Sequence, residues 1–322
     1  MKNRPSRIGK QGVAKAVALL FFLAMVVLPG HAAQQPAFRI SVDVDLVVLH
    51  ATVTDRQGGF VSDLGEQDFG VFEDGAPQSI RFFESEDVPV TVGLVIDHSS
   101  TMAPKLEEVT LAALTFARSS NPEDEMFVVN FNEKVSLGLP PTTRFTNKIA
   151  ELQAAIWKVD AGGQTALYAA IAKALDELQA GTRDKKVLIV ISDGGDNKSR
   201  LSLAQVMRLA AQSTAVIYTV GLFDASDPDR NPGVLKHLAQ ATGGEAFLPG
   251  EISEVVAICG RIARDIRHQY TIGYVPLKHA HDDAYRTIRV VARAKGHEKL
   301  SVRTRTGYIP GGEPRLAETS AK

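Results

Sequence analysis

Three short stretches gather oxygen donors beside glycine or at the end of an apolar run. Val95–Met102 reads V-I-D-H-S-S-T-M and offers Asp97, Ser99, Ser100 and Thr101 in succession. A second run, I-V-I-S-D-G-G-D-N, ends in Asp193 and then turns into glycine. The third, G-G-Q-T-A-L-Y, sets Thr165 behind two glycines, which let the backbone turn sharply. Carboxylates brought into one cleft repel each other, and a divalent cation resolves that repulsion. Hard oxygen ligands suit magnesium, calcium or manganese. In an extended chain alternate residues share a side, so Asp97, Ser99 and Thr101 can converge while His98 and Ser100 point elsewhere. The competing reading of the same residues is a set of N-caps and turns, since Asp, Ser and Thr are common at helix starts.

For these stretches to meet, the elements around them must bring strand ends together. Residues 89–268 alternate between strand and helix patterns. Strands are expected at Val90–Asp97, Glu125–Asn132, Lys185–Ser192, Ala215–Leu222 and Glu245–Leu248. Helices are expected at Lys105–Ser119, Asn147–Val159, Ala166–Ala180, Leu203–Gln212, Val234–Ala241 and Ile252–His268. Continuous apolar strands between helices imply an α/β, Rossmann-like, mostly parallel sheet with helices on both faces. Ligands of such sheets bind at the carboxyl ends of the strands, where Asp97 and Asp193 fall. Residues 38–88 and 269–310 read instead as short strands and turns. Each piece is marginal alone. They are expected to pack together as a small all-β domain around the inserted α/β unit, with a polar, loose tail at 311–322.

D-H-S-S-T-M resembles the D-x-S-x-S motif of von Willebrand factor type A domains, and the resemblance extends over about Val88–His268. G-G-Q-T-A-L-Y-A-A-I, V-I-S-D-G and L-A-Q-A-T-G-G-E-A-F are similar to that family's later segments. Outside the domain, G-G-F-V-S-D-L-G-E-Q-D-F-G-V-F-E-D-G, Y-T-I-G-Y and R-T-G-Y resemble secreted bacterial proteins described as VWFA-related. The resemblance implies a metal-ion-dependent adhesion site, or MIDAS, of Asp97, Ser99, Thr101, Thr165 and Asp193. Ser99 and Thr101 would bind the cation directly, Asp97 and Asp193 mostly through water, and Thr165 in either way. Magnesium is the expected ion, with calcium or manganese as alternatives. The open coordination position would take an Asp or Glu of a protein partner. Thr101 departs from the family's usual Ser. Its hydroxyl is kept, while its methyl restricts χ1. His98 fills a variable position and is expected at the cleft rim.

The rest of the chain narrows the function classes. Its 322 residues suffice for one large domain or one plus a smaller one. A basic lead, the apolar run Ala16–Leu28 and the small residues before a cut after Ala32 have the layout of a secretory signal. The expected location is therefore secreted, periplasmic or cell envelope, with membrane attachment only if residues 1–32 stay uncleaved. Removing them takes away five basic residues and moves the net charge from −1 to −6. A mildly acidic body argues against nucleic acid as a partner. Cys259 is the only cysteine, so no internal disulfide forms, and it is expected to pack as a small hydrophobe. Asp97, His98 and Ser99 hold the letters of a catalytic triad, but neighbours in a strand cannot form one. No G-x-S-x-G elbow is present. The reading is a binding module rather than an enzyme. A structural domain with a vestigial metal site, or less favoured a metal-dependent hydrolase, are the alternatives. Other residues are read as structural: Asp196 and Asn197 as turn residues, Asp224–Asn231 as an exposed loop, Trp157 and Tyr168 as core or groove, and Arg286, Arg289, Arg293, Arg303 and Arg305 as outward rows.

Overall fold

A computed structural model describes residues 46–223, 229–277, 284–297 and 299–310. The expected signal segment, the tail, residues 224–228 of the acidic loop and the strand pattern before Leu46 lie outside them. The described residues from Leu46 on belong to one compact unit.

The chain begins with β1 (Val47–Thr54), β2 (Phe69–Glu73), β3 (Ala76–Gln78) and β4 (Ile80–Glu84). It then alternates: β5 (Val90–Asp97), α1 (Leu106–Ser119), β6 (Glu125–Phe131), β7 (Val135–Leu137), α2 (Ile149–Ile156), α3 (Leu167–Leu178), β8 (Lys185–Ser192) and α4 (Leu203–Gln212). After these come β9 (Val216–Gly221), α5 (Pro232–Thr242), β10 (Ala246–Phe247) and α6 (Val255–Arg267). The last strands are β11 (Tyr270–Tyr274), β12 (Arg286–Ala292), β13 (Ser301–Arg303) and β14 (Gly307–Tyr308).

The central sheet has the order β10-β9-β8-β5-β6-β7. All its pairs are parallel except the β6–β7 edge. Every residue of β5 is buried, which is why the strand reads as a continuous apolar run with no alternation. The strand order places the site. From β5 the chain crosses to β6 on one side, and after α3 it returns to β8 on the other. Parallel crossovers keep one hand, so α1 and α3 lie on opposite faces of the sheet. Between β5 and β8 the direction of crossing reverses, and a crevice opens there beyond their carboxyl ends. Asp97 ends β5, and Asp193 follows Ser192 at the end of β8.

Local signals fix several boundaries. Ser202 and Gln205 form a reciprocal capping box that starts α4 where the pattern predicts it. Gly243, at φ 85°, ends α5 in the left-handed conformation.

The flanking strands form two antiparallel sheets, β13-β1-β11-β4 and β14-β12-β2-β3. They share one apolar cluster, including Leu49, Val53, Tyr270 and Ile272 from the first and Val71 and Val290 from the second. The Glu73 carboxylate ties the sheets together, accepting from the Tyr274 hydroxyl at 2.6 Å and the Tyr308 hydroxyl at 2.9 Å, with Arg286 at 3.3 Å.

Here the outward arginine rows need correction. Arg286 and Arg305 are buried, and Arg303 is held against the buried Asp265, which also accepts from the Thr52 hydroxyl at 2.7 Å. Arg289 does face outward, over the Phe72 ring. Within Leu300–Ile309 the chain forms two short strands in different sheets. Trp157 is 62% exposed, so it is neither core nor groove. Cys259 is fully buried among apolar residues, and burial pushes its thiol up to about 12.

Candidate functional site

β5 delivers Asp97 to the crevice with no exposed surface. A turn of 3-10 helix, Ser100–Lys105, follows at once, with Ser99 as its extended first flank. The reversal folds the chain back on the strand end. The Ser99 N–H donates to Asp97 Oδ1 at 2.8 Å, and Ser99 Oγ lies 3.2 Å from Thr101 Oγ1. On the neighbouring strand the Ser192 hydroxyl donates to Asp97 Oδ2 at 2.6 Å. Thr101 Oγ1 crosses the crevice and donates to Asp193 Oδ2 at 2.7 Å. Asp97, Ser99, Thr101 and Asp193 therefore form one hydrogen-bonded chain across two strand ends.

Glycine shapes the Asp193 loop. Gly194 has φ 80°, and a side chain there would come within 2.4 Å of the Asn231 carbonyl. The Gly195 N–H donates back to Asp193 Oδ1 at 3.0 Å. Asn231 N–H donates to the Asp193 carbonyl at 3.1 Å, so the loop after β9 rests on it.

Thr165 is held beside the other four by the peptide groups of its loop, and its own backbone bonds Asn197 and Lys198. Its loop is tied to the first by Gly162 N–H to the His98 carbonyl, 2.8 Å, and Ser100 N–H to the Gly163 carbonyl, 3.2 Å. It is tied to the Asp193 loop by Thr165 N–H to Asn197 Oδ1, 2.9 Å, with Asn197 N–H returning to the Thr165 carbonyl at 3.0 Å. Thr165 itself is 7% exposed.

Burial dominates the electrostatics. It pushes the Asp97 carboxyl up to about 6, against the hydrogen bonds from Ser192 and Ser99, and the negative charge of Asp193 adds to the rise. His98 is not at the rim. It is 1% exposed, its Nε2 donates to Asn130 Oδ1 at 3.0 Å, and burial holds it below the ordinary imidazole range. It turns away from Asp97 and Ser99, as the strand alternation requires.

The Asp193 loop carries a function that residue types alone do not reveal. Asp196 Oδ2 accepts from the Tyr168 N–H at 2.7 Å, and Ser199 Oγ accepts from the Ala169 N–H at 3.0 Å. Both satisfy first-turn donors of α3 from across the crevice. Asn197 also donates to Asp229 Oδ2 at 2.9 Å. A cap of this kind is invisible to local pattern, because helix and cap stand about 30 residues apart.

Residues 92–196 match the family described as von Willebrand factor type A domain, a span holding both strand ends and all five candidate residues. The chain contains a von Willebrand factor type A domain. No curated protein matches it in sequence. Among solved structures it is similar to a von Willebrand factor type A protein from Catenulispora acidiphila, at 14% identity over 74% of this chain and 73% of that one, TM-score 0.49. It is also similar to the domain of the type V pili tip protein Mfa5 from Porphyromonas gingivalis, at 15% identity over 56% and 95%, TM-score 0.47. The BatB protein from Bacteroides thetaiotaomicron overlaps at 16% identity over 55% and 98%, TM-score 0.43.

Among the described residues no three His, Cys, Asp or Glu side chains cluster as a metal site. A cation in this von Willebrand factor type A domain would draw on hydroxyls beside two carboxylates. That all-oxygen donor set fits a hard divalent ion and suits a thiophilic one poorly.

Proposed function

We propose that this chain is a metal-dependent protein-binding module of the secreted space or cell envelope. Ser99, Thr101 and Asp193, with Asp97 beneath them and Thr165 beside them, would hold a divalent cation, magnesium before calcium or manganese. When bound, the ion supplies a localised positive charge for an Asp or Glu side chain of a protein partner. Neutral hydroxyl donors leave that charge incompletely cancelled, which favours an external carboxylate. The observation that carries the reading is the Thr101–Asp193 bond. It brings a hydroxyl from one strand end onto a carboxylate from another, inside a domain of the family that resembles this motif.

One feature favours a second reading, a purely structural site. Asp97 already accepts from Ser192 and Ser99, and Asp193 accepts from Thr101, so the carboxylates are partnered by the protein itself. Calorimetric titration of the chelator-treated chain with magnesium, calcium and manganese separates the two. Saturable binding that disappears in Asp193→Ala, with the fold retained by circular dichroism, supports the metal-binding reading. Absence of binding in the wild type leaves the structural one.

A further inference from the structure

A cavity of about 610 Å³ opens between the β1-β11-β4 face and the amino-terminal ends of β5 and β8. It sits at the end of β8 opposite Asp193, roughly 26 Å away at about 3.3 Å per residue. Its size falls within the range of small-ligand sites.

Its two sides differ in chemistry. One is apolar, built from Leu46, Val48, Phe82, Val88 and Pro89. Leu46 and Phe82 are 45% and 43% exposed, and Phe82 belongs to neither core cluster. Gly273 pairs with both Val48 and Phe82. A side chain there would come within 3.0 Å of Phe82 Cβ and 3.3 Å of Leu46, so its absence leaves this row its space.

The other side carries two buried polar side chains, Lys185 and His50. The Thr271 hydroxyl lies 3.3 Å from His50 Nδ1. Lys185 Nζ donates to the Ile266 carbonyl at 2.5 Å, which uses one of three ammonium N–H groups. Burial holds the imidazole neutral, and the charges that act on it, Lys185 and Arg305, are both cationic. Asp265, Asp87 and Asp124 act on the Lys185 ammonium, and Glu84 and Asp184 oppose from more exposed positions of the lining, where water and salt screen charge, with Arg183 offsetting one of these two.

We propose that this cavity binds a small organic carboxylate with an apolar body, the body along Leu46, Val48 and Phe82 and the head toward Lys185 and His50. The site is independent of the metal reading. The test is calorimetric titration of the full chain with decanoate, kept monomeric, and with decyltrimethylammonium, which has the same tail and the opposite charge. Decanoate is expected to bind saturably at one site, with the cation at least about tenfold weaker. Phe82→Ser, at an exposed position, should weaken decanoate about tenfold through lost apolar contact. Lys185→Met should weaken it about tenfold through the lost charged donor. The proposal is overturned if decanoate does not saturate, if the cation binds as well, or if either folded variant binds decanoate like the wild type. Should Lys185→Met fail to fold, the charge comparison and Phe82→Ser decide alone.

Discussion

Ser192→Ala removes one oxygen and is expected to cost far more than a surface change. Ser192 is fully buried, and its hydroxyl serves two groups. It donates to Asp97 Oδ2 at 2.6 Å and accepts from the Gly194 N–H at 3.1 Å. Losing a donor to a buried carboxylate costs about 2 kcal/mol, and a backbone N–H left without its acceptor about 1 more. The expected destabilisation is therefore about 3 kcal/mol. For a unit of this size that lowers Tm by about 6–12 °C. Thermal unfolding followed by near-UV circular dichroism, with chelator at pH 8 where Asp97 is charged, measures it. Ser192→Cys keeps most of the volume and a weak donor, and should fall between the two. A loss under about 0.5 kcal/mol for Ala, the scale of an ordinary surface change, would refute the view that Asp97 is held by this bond. Equal losses for Ala and Cys would point to packing instead.

Two further outcomes follow from buried charge. Burial pushes Asp124 up to about 6 from its ordinary 3.8, even though Val90 and Asn121 N–H groups donate to it. A raised carboxyl in the native state favours folding when protonated, so its contribution is fullest below the ordinary value and is lost as pH rises through about 6. Relative to Asp124→Asn, the wild type should lose about 2 kcal/mol between pH 4 and pH 7, read from denaturant midpoints, and a flat difference would remove the assignment. Arg303→Met should destabilise by about 3–5 kcal/mol, because Asp265 is left as a buried, uncompensated charge. Adding Asp265→Asn should restore a substantial part of that loss in the same assay, and no recovery would show that Arg303 acts through packing.

How much of this was legible follows from how local each cause is. β5 and β8 have the bounds the sequence predicts, because a strand buried on both faces is a continuous apolar run with abrupt ends. α4 does too, because its start is written in Ser202 and Gln205. The α2 helix is shorter than expected, and β7 went unrecognised as a three-residue edge hairpin. The arginine rows failed for a different reason. Alternation predicts which side a residue faces, but whether that side is solvent depends on remote carboxylates. Arg286 finds Glu73 213 positions away, and Arg303 finds Asp265 38 positions away. Trp157 failed in the opposite sense, since aromatic character alone does not bury a side chain at the end of a short helix. Asp97, Ser99, Thr101 and Asp193 meet in one hydrogen-bonded chain, but a 3-10 turn from Ser100, not the extended alternation expected, carries Thr101 there. Thr165 is set beside them by the peptide groups of Gly162 and Gly163 and by Asn197, which no residue-type pattern encodes.

Asn197 uses both ends of its amide, accepting from Thr165 and donating to Asp229. Asp196, its neighbour, caps α3. The Thr165 loop, the start of α3 and the loop after β9 are thus pinned to one four-residue stretch beyond Asp193. Displacing Thr165 alone would strand the Asn197 carbonyl and loosen the α3 cap together, and each such buried or half-buried loss costs about 1 kcal/mol or more. By contrast, the Ser99 hydroxyl can reorient by rotation about its side-chain bond while Asp97 stays fixed by Ser192, and Thr101, stiffer at χ1, reorients by releasing Asp193. The adjustable half of the site is therefore the Ser99–Thr101 turn, and the rigid half is the pair of strand ends with Thr165.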